Sequence, residues 1–267
     1  MFDLQLTGAG FVVGVLVGMT GVGGGALMTP LLILLFGMKP TMAVGTDLVY
    51  ATITKTFGAV QYARRGQVNF PYVRWLATGS VPGAMLAVFV LSPMLEKSGV
   101  DVEFITTTAL GAMLALAGIL GLLERRFFEG KLRNSAIIRS EAVQRRYKEP
   151  LLVVGGFVIG IAVGMTSVGS GAILMAILLL VSELNVLVLI GTDLVHATVL
   201  LAAAGLAHGF MGHVEYGVVF PLILGSIPGT WTGGRLAQVV PPEPLRIALG
   251  VLLVVTGLKL VAPAFTG

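Results

Sequence analysis

Long apolar runs alternate with short polar breaks along this chain, and the run lengths predict helices that cross a lipid bilayer. Apolar stretches fall near 4–19, 26–37, 41–62, 70–92 and 102–123. A polar segment at 124–149 follows, and then further runs near 151–165, 171–182, 186–208, 217–236 and 245–262. A helix rises about 1.5 Å per residue, so a run of about 20 residues matches a hydrocarbon core of ~30 Å. In that medium each backbone N–H and C=O must bond within its own segment, which selects helices. The runs 26–37 and 171–182 reach only roughly 18 Å at the same rise, too short to cross alone. Each follows a glycine cluster, so each reads as the return arm of a helical hairpin.

The pattern occurs twice. Shifting the chain by 146 positions lays Gly14 on Gly160 and the run Gly18 to Ala26 on Gly164 to Ala172. The same shift lays Gly45-Thr46-Asp47-Leu48-Val49 on Gly191-Thr192-Asp193-Leu194-Val195. It also lays Gly79-Ser80-Val81-Pro82-Gly83 on Gly225-Ser226-Ile227-Pro228-Gly229. Apolar helices share Leu and Val by chance, but not Asp, Pro and Gly in one ungapped register. The chain therefore divides into a first repeat (1–123), a basic linker (124–149) and a second repeat (150–267).

Each half holds an odd number of spans: three if the short run re-enters, five if it crosses. An odd unit turns its second copy upside down in the membrane. The charges agree with that, because Lys and Arg collect on the cytoplasmic side. Arg64 and Arg65 follow the run 41–62, and 124–149 holds eight basic and four acidic residues. Both breaks are expected in the cytoplasm. The segment 92–103 sets Lys97 against Glu96, Asp101 and Glu103 and is expected outside. The matching loop of the second half, 209–216, has no Lys or Arg and is expected outside, while Arg235 and Arg246 bracket a cytoplasmic turn. Both termini then lie outside a cytoplasmic (inner) membrane. Inverted repeats are the architecture of secondary transporters, whose sites lie at the repeat interface near mid-membrane.

Composition sharpens this picture. Charged residues make up 11% and hydrophobic ones 56%, against about 25% charged in a soluble domain. The linker's excess equals the whole net charge of +4, so the basic balance marks a loop beside a membrane and not a nucleic-acid surface. With no cysteine, disulfides, thiolate metal sites and thiol catalysis are excluded. The apolar N-terminus lacks a basic leader and belongs to the repeat, so it reads as mature structure.

The first candidate for chemistry is the pair of glycine-rich tips. One comprises Thr20, Gly21, Val22, Gly23, Gly24 and Gly25. The other comprises Thr166, Ser167, Val168, Gly169, Ser170 and Gly171. Glycine permits the tight turn, and amides freed at the next helix N-terminus suit an anion. Thr and Ser hydroxyls at both tips, with Thr46 and Thr192 of the Gly-Thr-Asp segments, add donors. The competing reading is that the glycines only permit a bend. The second candidate is Asp47 with Asp193, each about two turns inside an apolar run, where a charge costs ~2.5–3.5 kcal/mol to insert. His196 shares a helical face with Asp193, and Tyr50 holds the equivalent place after Asp47. Coupling to protons and scaffold support of broken-helix amides both stay open for these residues. Lys55, whose partner position is Leu201, either attracts the anion or snorkels to the cytoplasmic interface.

Other features read more simply. The spacing of Gly10, Gly14 and Gly18, and of Gly156, Gly160 and Gly164, predicts close helix packing. Pro82-Gly83 and Pro228-Gly229 are expected to break or kink their helices. Arg74 and Trp75 sit where an interfacial anchor belongs, and His208 and His213 are expected to be solvated beside an outer loop. The three histidines lack metal-ligand spacing, and no H-E-x-x-H or G-x-S-x-G motif is present. The partial dinucleotide fingerprint at Gly21 and Gly23 lacks a strand-turn-helix context.

The Gly-Met-Thr-Gly-Val-Gly-Gly-Gly run, its Gly-Met-Thr-Ser-Val-Gly-Ser-Gly mate and the two Gly-Thr-Asp-Leu-Val segments resemble the sulfite exporter TauE/SafE (TSUP) family over nearly the whole chain. The resemblance implies a transporter of small sulfur-containing or organic anions such as sulfite, sulfoacetate or related sulfonates. It implies export across a bacterial or archaeal cytoplasmic membrane, driven by the membrane potential or a proton gradient. Ser167 and Ser170 replace Gly21 and Gly24 in the second tip, which makes the two tips chemically unequal.

The expectation is an all-α polytopic membrane protein of two inverted repeats, each with a glycine-rich broken or re-entrant pair and three spanning helices. It works as a secondary transporter without cofactor or metal, with an anion, protons and the bilayer as partners and homo-oligomerisation left open. An anion channel of the same fold, a membrane enzyme and a scaffold for partner proteins are the alternatives.

Overall fold

The computed structural model describes residues 3–20, 25–128, 141–169, 171–182, 184–237, 239 and 242–262. Among them the chain forms helices joined by short turns, and no strand. The first half runs α1 (Leu4–Thr20), α2 (Gly25–Leu34), α3 (Pro40–Arg64) and α4 (Phe70–Leu86). A π-helical turn, Ala87–Leu91, then leads into α5 (Ser92–Lys97), and α6 (Val102–Phe128) closes the half. The second half runs α7 (Glu141–Thr166), α8 (Ala172–Val181), α9 (Val186–Phe210), α10 (Tyr216–Leu236) and α11 (Pro242–Val261).

Local chemistry sets the helix starts. Pro40 opens α3, where its missing N–H costs nothing. Asn69 Oδ1 accepts the Tyr72 N–H at 3.1 Å and caps α4. Asn185 Oδ1 accepts the Leu187 N–H at 3.0 Å and caps α9. Helices α2 and α8 have 10 residues each, a rise of about 15 Å, so neither crosses a bilayer alone.

Three boundaries differ from the sequence expectation. The outer loop expected at 92–103 is mostly helical, because the helix passes through the π turn and restarts at Ser92-Pro93. Only 98–101 remain as the bend, with Gly99 at φ +74. The linker 124–149 is helical at both ends, to Phe128 and from Glu141, with 129–140 outside the described residues. Pro82 and Pro228 end neither helix but lie inside α4 and α10. Spanning helices tolerate a lost N–H where neighbours hold the backbone.

Among the described residues, four helices are long and apolar enough to cross a membrane: Phe70–Lys97, Val102–Leu123, Glu149–Thr166 and Leu187–Phe210. The outer surface matches, because Phe57, Phe210, Trp231 and Val255 among many large apolar side chains face outward.

The glycine ladders explain how the halves pack. A Cβ on Gly10, Gly14 or Gly18 of α1 would overlap the backbone of Leu222, Ser226 or Thr230 of α10. A Cβ on Gly156 or Gly160 of α7 would overlap the backbone of Leu76 or Ser80 of α4, and one on Gly164 would crowd Ala84 at 3.1 Å. Both pairs run parallel, and one set becomes the other when each residue is exchanged for its mate 146 positions away. Helices α3 and α9 contact antiparallel, Gly58 with Leu194 and Gly205 with Val49. Helices α6 and α11 do likewise, Gly118 with Gly250 and Gly111 with Gly257. The glycines are therefore packing surfaces, as their spacing predicted.

Candidate functional site

The Gly-Thr-Asp segments build the centre from both sides. A Cβ on Gly45 would overlap the carbonyl of His213, and one on Gly191 the carbonyl of Gln67. Glycine thus lets each long helix press against a turn of the other half. The next residue fastens that turn. Thr46 Oγ1 accepts the Glu215 N–H at 2.9 Å, and Thr192 Oγ1 accepts the Asn69 N–H at 2.9 Å. Both threonines are fully buried. Each hydroxyl oxygen therefore holds a turn of the other half, and Thr192 gives its own hydrogen to Val188 O at 2.6 Å.

One turn further along each helix the same exchange recurs. Tyr50 donates its hydroxyl hydrogen to Ser226 Oγ at 2.9 Å, joining α3 to α10. His196 Nε2 lies 2.8 Å from Ser80 Oγ, joining α9 to α4. Sequence reasoning did not give Ser80 and Ser226 this role. The signal was present, because both stand in matched Gly-Ser-x-Pro-Gly segments, beside glycines that already pointed to close packing.

Asp47 is the hub of the first half. Its Oδ2 accepts hydrogens from Thr29 Oγ1 of α2 and from Ser167 Oγ, the latter at 2.7 Å. Among the described residues Asp47 therefore bridges two hydroxyls. It ties the short helix of one half to the tip of the other. Asp47, Thr29 and Ser167 are all at most 2% exposed.

That tip has a defined shape. Thr166 closes α7, Ser167 turns the chain at φ +61, and Gly169 turns it again at φ +112. The Ser167 N–H is used on Val163 O at 2.8 Å, and the Val168 N–H reaches Thr166 Oγ1 at 3.2 Å. Gly171 then precedes α8, whose first turn has no side-chain cap. The first N–H groups of a helix have no carbonyl partner within it, so those of α8 remain without a side-chain cap. In the first tip Thr20 ends α1 and Gly25 begins α2. Gly21, Val22, Gly23 and Gly24, and Ser170 of the second tip, lie outside the described residues.

Asp193 is half-buried, and its Oδ1 is buried without a hydrogen-bond partner among the described residues. The sequence explains the contrast with Asp47: the shift of 146 puts Met175 in place of Thr29 and Gly21 in place of Ser167. Lys55 corrects the snorkelling expectation. It is only 9% exposed, and its charged neighbours are Asp193 and Asp47. The two carboxyl groups offset part of the cost of taking that ammonium out of water.

His208 corrects a second expectation. It is 5% exposed, not solvated, and its Nε2 lies 2.8 Å from Gly164 O in the last turn of α7. A carbonyl only accepts, so this nitrogen carries the hydrogen. His213 stands 5.7 Å away, ring to ring. Replacing His208 by alanine should leave the Gly164 carbonyl unpaired, at about 1–3 kcal/mol. A melting temperature lowered by several degrees, partly restored by His208→Gln, is the expected result of a thermal scan in detergent.

No group of three or more His, Cys, Asp or Glu among the described residues is placed to hold a metal ion.

Comparisons with known proteins follow the same lines as the geometry. The family model described as "Sulfite exporter TauE/SafE" matches residues 6–260. The "Probable membrane transporter protein YjnA" of Bacillus subtilis (strain 168) is 40% identical over 252 residues, covering 94% of this chain and 97% of that protein. The "Probable membrane transporter protein YdhB" of the same organism is 25% identical over 254 residues, covering 94% and 96%. Its "Probable membrane transporter protein YunE" is 35% identical over 109 residues, covering 41% and 40%. No solved structure matches the chain.

Proposed function

Because the chain belongs to the sulfite exporter TauE/SafE family of membrane transporters, we propose that it exports a small sulfur-containing anion, sulfite or a related sulfonate, as a secondary transporter. Two inverted repeats, 1–123 and 150–267, rock about a site between their bent hairpins, while 124–149 stays in the cytoplasm. Both termini lie outside the inner membrane, and the proton gradient or membrane potential drives the cycle.

The observation that carries this reading is the exchange relation of the contacts. Four helix pairs and two kinds of hydrogen bond keep their partners when each residue is swapped for its mate. Mates α3 and α9, and mates α6 and α11, run antiparallel, which supports a second half inverted with respect to the first. Inverted repeats with short broken helices at the interface favour alternating access. The donors at the second tip that suit an oxyanion are the uncapped first-turn amides of α8, because the Thr166 and Ser167 hydroxyls give their hydrogens to Ala162 O and Asp47.

Counterflow in proteoliposomes tests the reading. Labelled sulfite or sulfoacetate outside should accumulate against unlabelled anion inside, and acetate should exchange far more slowly. Anion leakage without counterflow would mark a channel, and no anion movement at all would defeat the proposal.

A further inference from the structure

We propose that Asp193 and His196 of α9 form the proton-binding site of the transport cycle, and that the matching residues Asp47 and Tyr50 do not. The assignment rests on the transporter reading above and goes beyond it by separating two halves that the repeat makes look equal.

The two sites differ in what fills them. At Asp47, hydroxyl hydrogens from Thr29 and Ser167 both occupy Oδ2, and three residues later Tyr50 spends its hydrogen on Ser226. At Asp193 neither hydroxyl has a counterpart, because Met175 and Gly21 stand there. Asp193 Oδ1 and His196 Nδ1 are buried without a hydrogen-bond partner among the described residues. His196 is fully buried, and its Nε2 is committed to Ser80. A neutral imidazole keeps one nitrogen as acceptor, and one turn of helix puts Asp193 and His196 on a common face. A carboxyl and an imidazole with open positions can hold and pass one proton. Asp47 also has an open Oδ1, but Tyr50, one turn on, gives its hydrogen to Ser226 and has no unpartnered buried atom among the described residues.

Charge balance indicates when the proton is held. Of the elements packed on α9, α3 brings Lys55, Asp47 and Tyr50. Helix α4 brings Ser80 at this level, with Tyr72 and Arg74 near its start. Helix α7 has its charged residues before Pro150, and α8 and the π turn have no titratable residue. Two ionised carboxylates against one ammonium leave one net negative charge, which one proton balances. An arriving anion adds negative charge, and uncompensated buried charge is strongly unfavourable. The proton therefore moves in the same direction as the anion. A dianion accompanied by one proton still carries negative charge outward, so of the two driving forces named above it is the inside-negative potential that drives its exit.

The test uses sulfoacetate and thiosulfate, because neither takes up protons near neutral pH and any proton moved belongs to the protein. Proteoliposomes holding labelled anion and a pH dye give the proton-to-anion ratio in one vesicle population. The wild type should carry protons with the anion. Asp193→Asn and His196→Gln should each lower the ratio about tenfold or more, and Asp193→Glu should keep it. A wild-type ratio in either neutral variant, or protons moving opposite to the anion, overturns the assignment. If Asp193→Asn does not fold, His196→Gln decides alone, since its amide can still reach Ser80. Absence of sulfite and sulfonate exchange in the wild type would defeat the transporter reading instead.

Discussion

Gly169→Leu should abolish anion flux while the protein still inserts and folds. Gly169 has φ +112, a conformation that a side chain strains by ~1–3 kcal/mol. A Cβ there would also stand 2.8 Å from Met113 Cε, a flexible end that can yield. Strain of this size does not unfold a chain with so many helix contacts. It does reshape the turn that sets Ser167 against Asp47 and aims the first turn of α8. A shift of ~1 Å in positioning groups can cost on the order of a hundredfold in rate, and flux should fall by that much. Gly121→Leu is the control, because nothing lies within 4 Å of its added Cβ. Gly23→Leu should act like Gly169→Leu if the first tip works as its sequence mate does. Normal flux in both tip variants would remove the glycine turns from the mechanism.

The second large effect is on folding. Gly160→Val places a Cβ on the carbonyl of Ser80, with Ser80 Cα at 2.7 Å, and no rotamer change relieves backbone meeting backbone. Overpacking usually costs ~1–3 kcal/mol, and a forced separation of α4 from α7 belongs above that range. It also pulls Ser80 from His196. Gly14→Val is the mate, with Ser226 Cα at 2.9 Å and Tyr50 as the partner that loses contact. Both variants should accumulate poorly and melt on the order of 10 °C lower, by similar amounts. Very unequal effects would show that the two helix pairs do not carry comparable roles.

Much of the fold is legible in the residue pattern, for a physical reason. Lipid leaves a chain few choices, so run lengths mark the helices and glycine spacing marks the packed faces. The single register of 146 pairs the residues that share equivalent contacts in the folded chain. Polar partners are harder to read. Thr29 carries no signal, because one threonine in an apolar run has no periodicity to mark it and no counterpart in the second half. Lys55 and His208 depart from expectation for a shared reason. A side chain's distance from a helix end says how far it lies from an interface, not which neighbour it faces. The contrast between Asp47 and Asp193 is present in the sequence as Thr29 against Met175 and Ser167 against Gly21. It acquires meaning only once Thr29 and Ser167 are known to touch the carboxyl.

The most direct measurement is a density map of the protein in a lipid nanodisc with sulfite or sulfoacetate bound. It should show the anion between residues 20–25 and 166–171, within hydrogen-bond reach of the first turn of α8 and at mid-membrane. An anion elsewhere, or two hairpin tips apart and facing acyl chains, would contradict the mechanism.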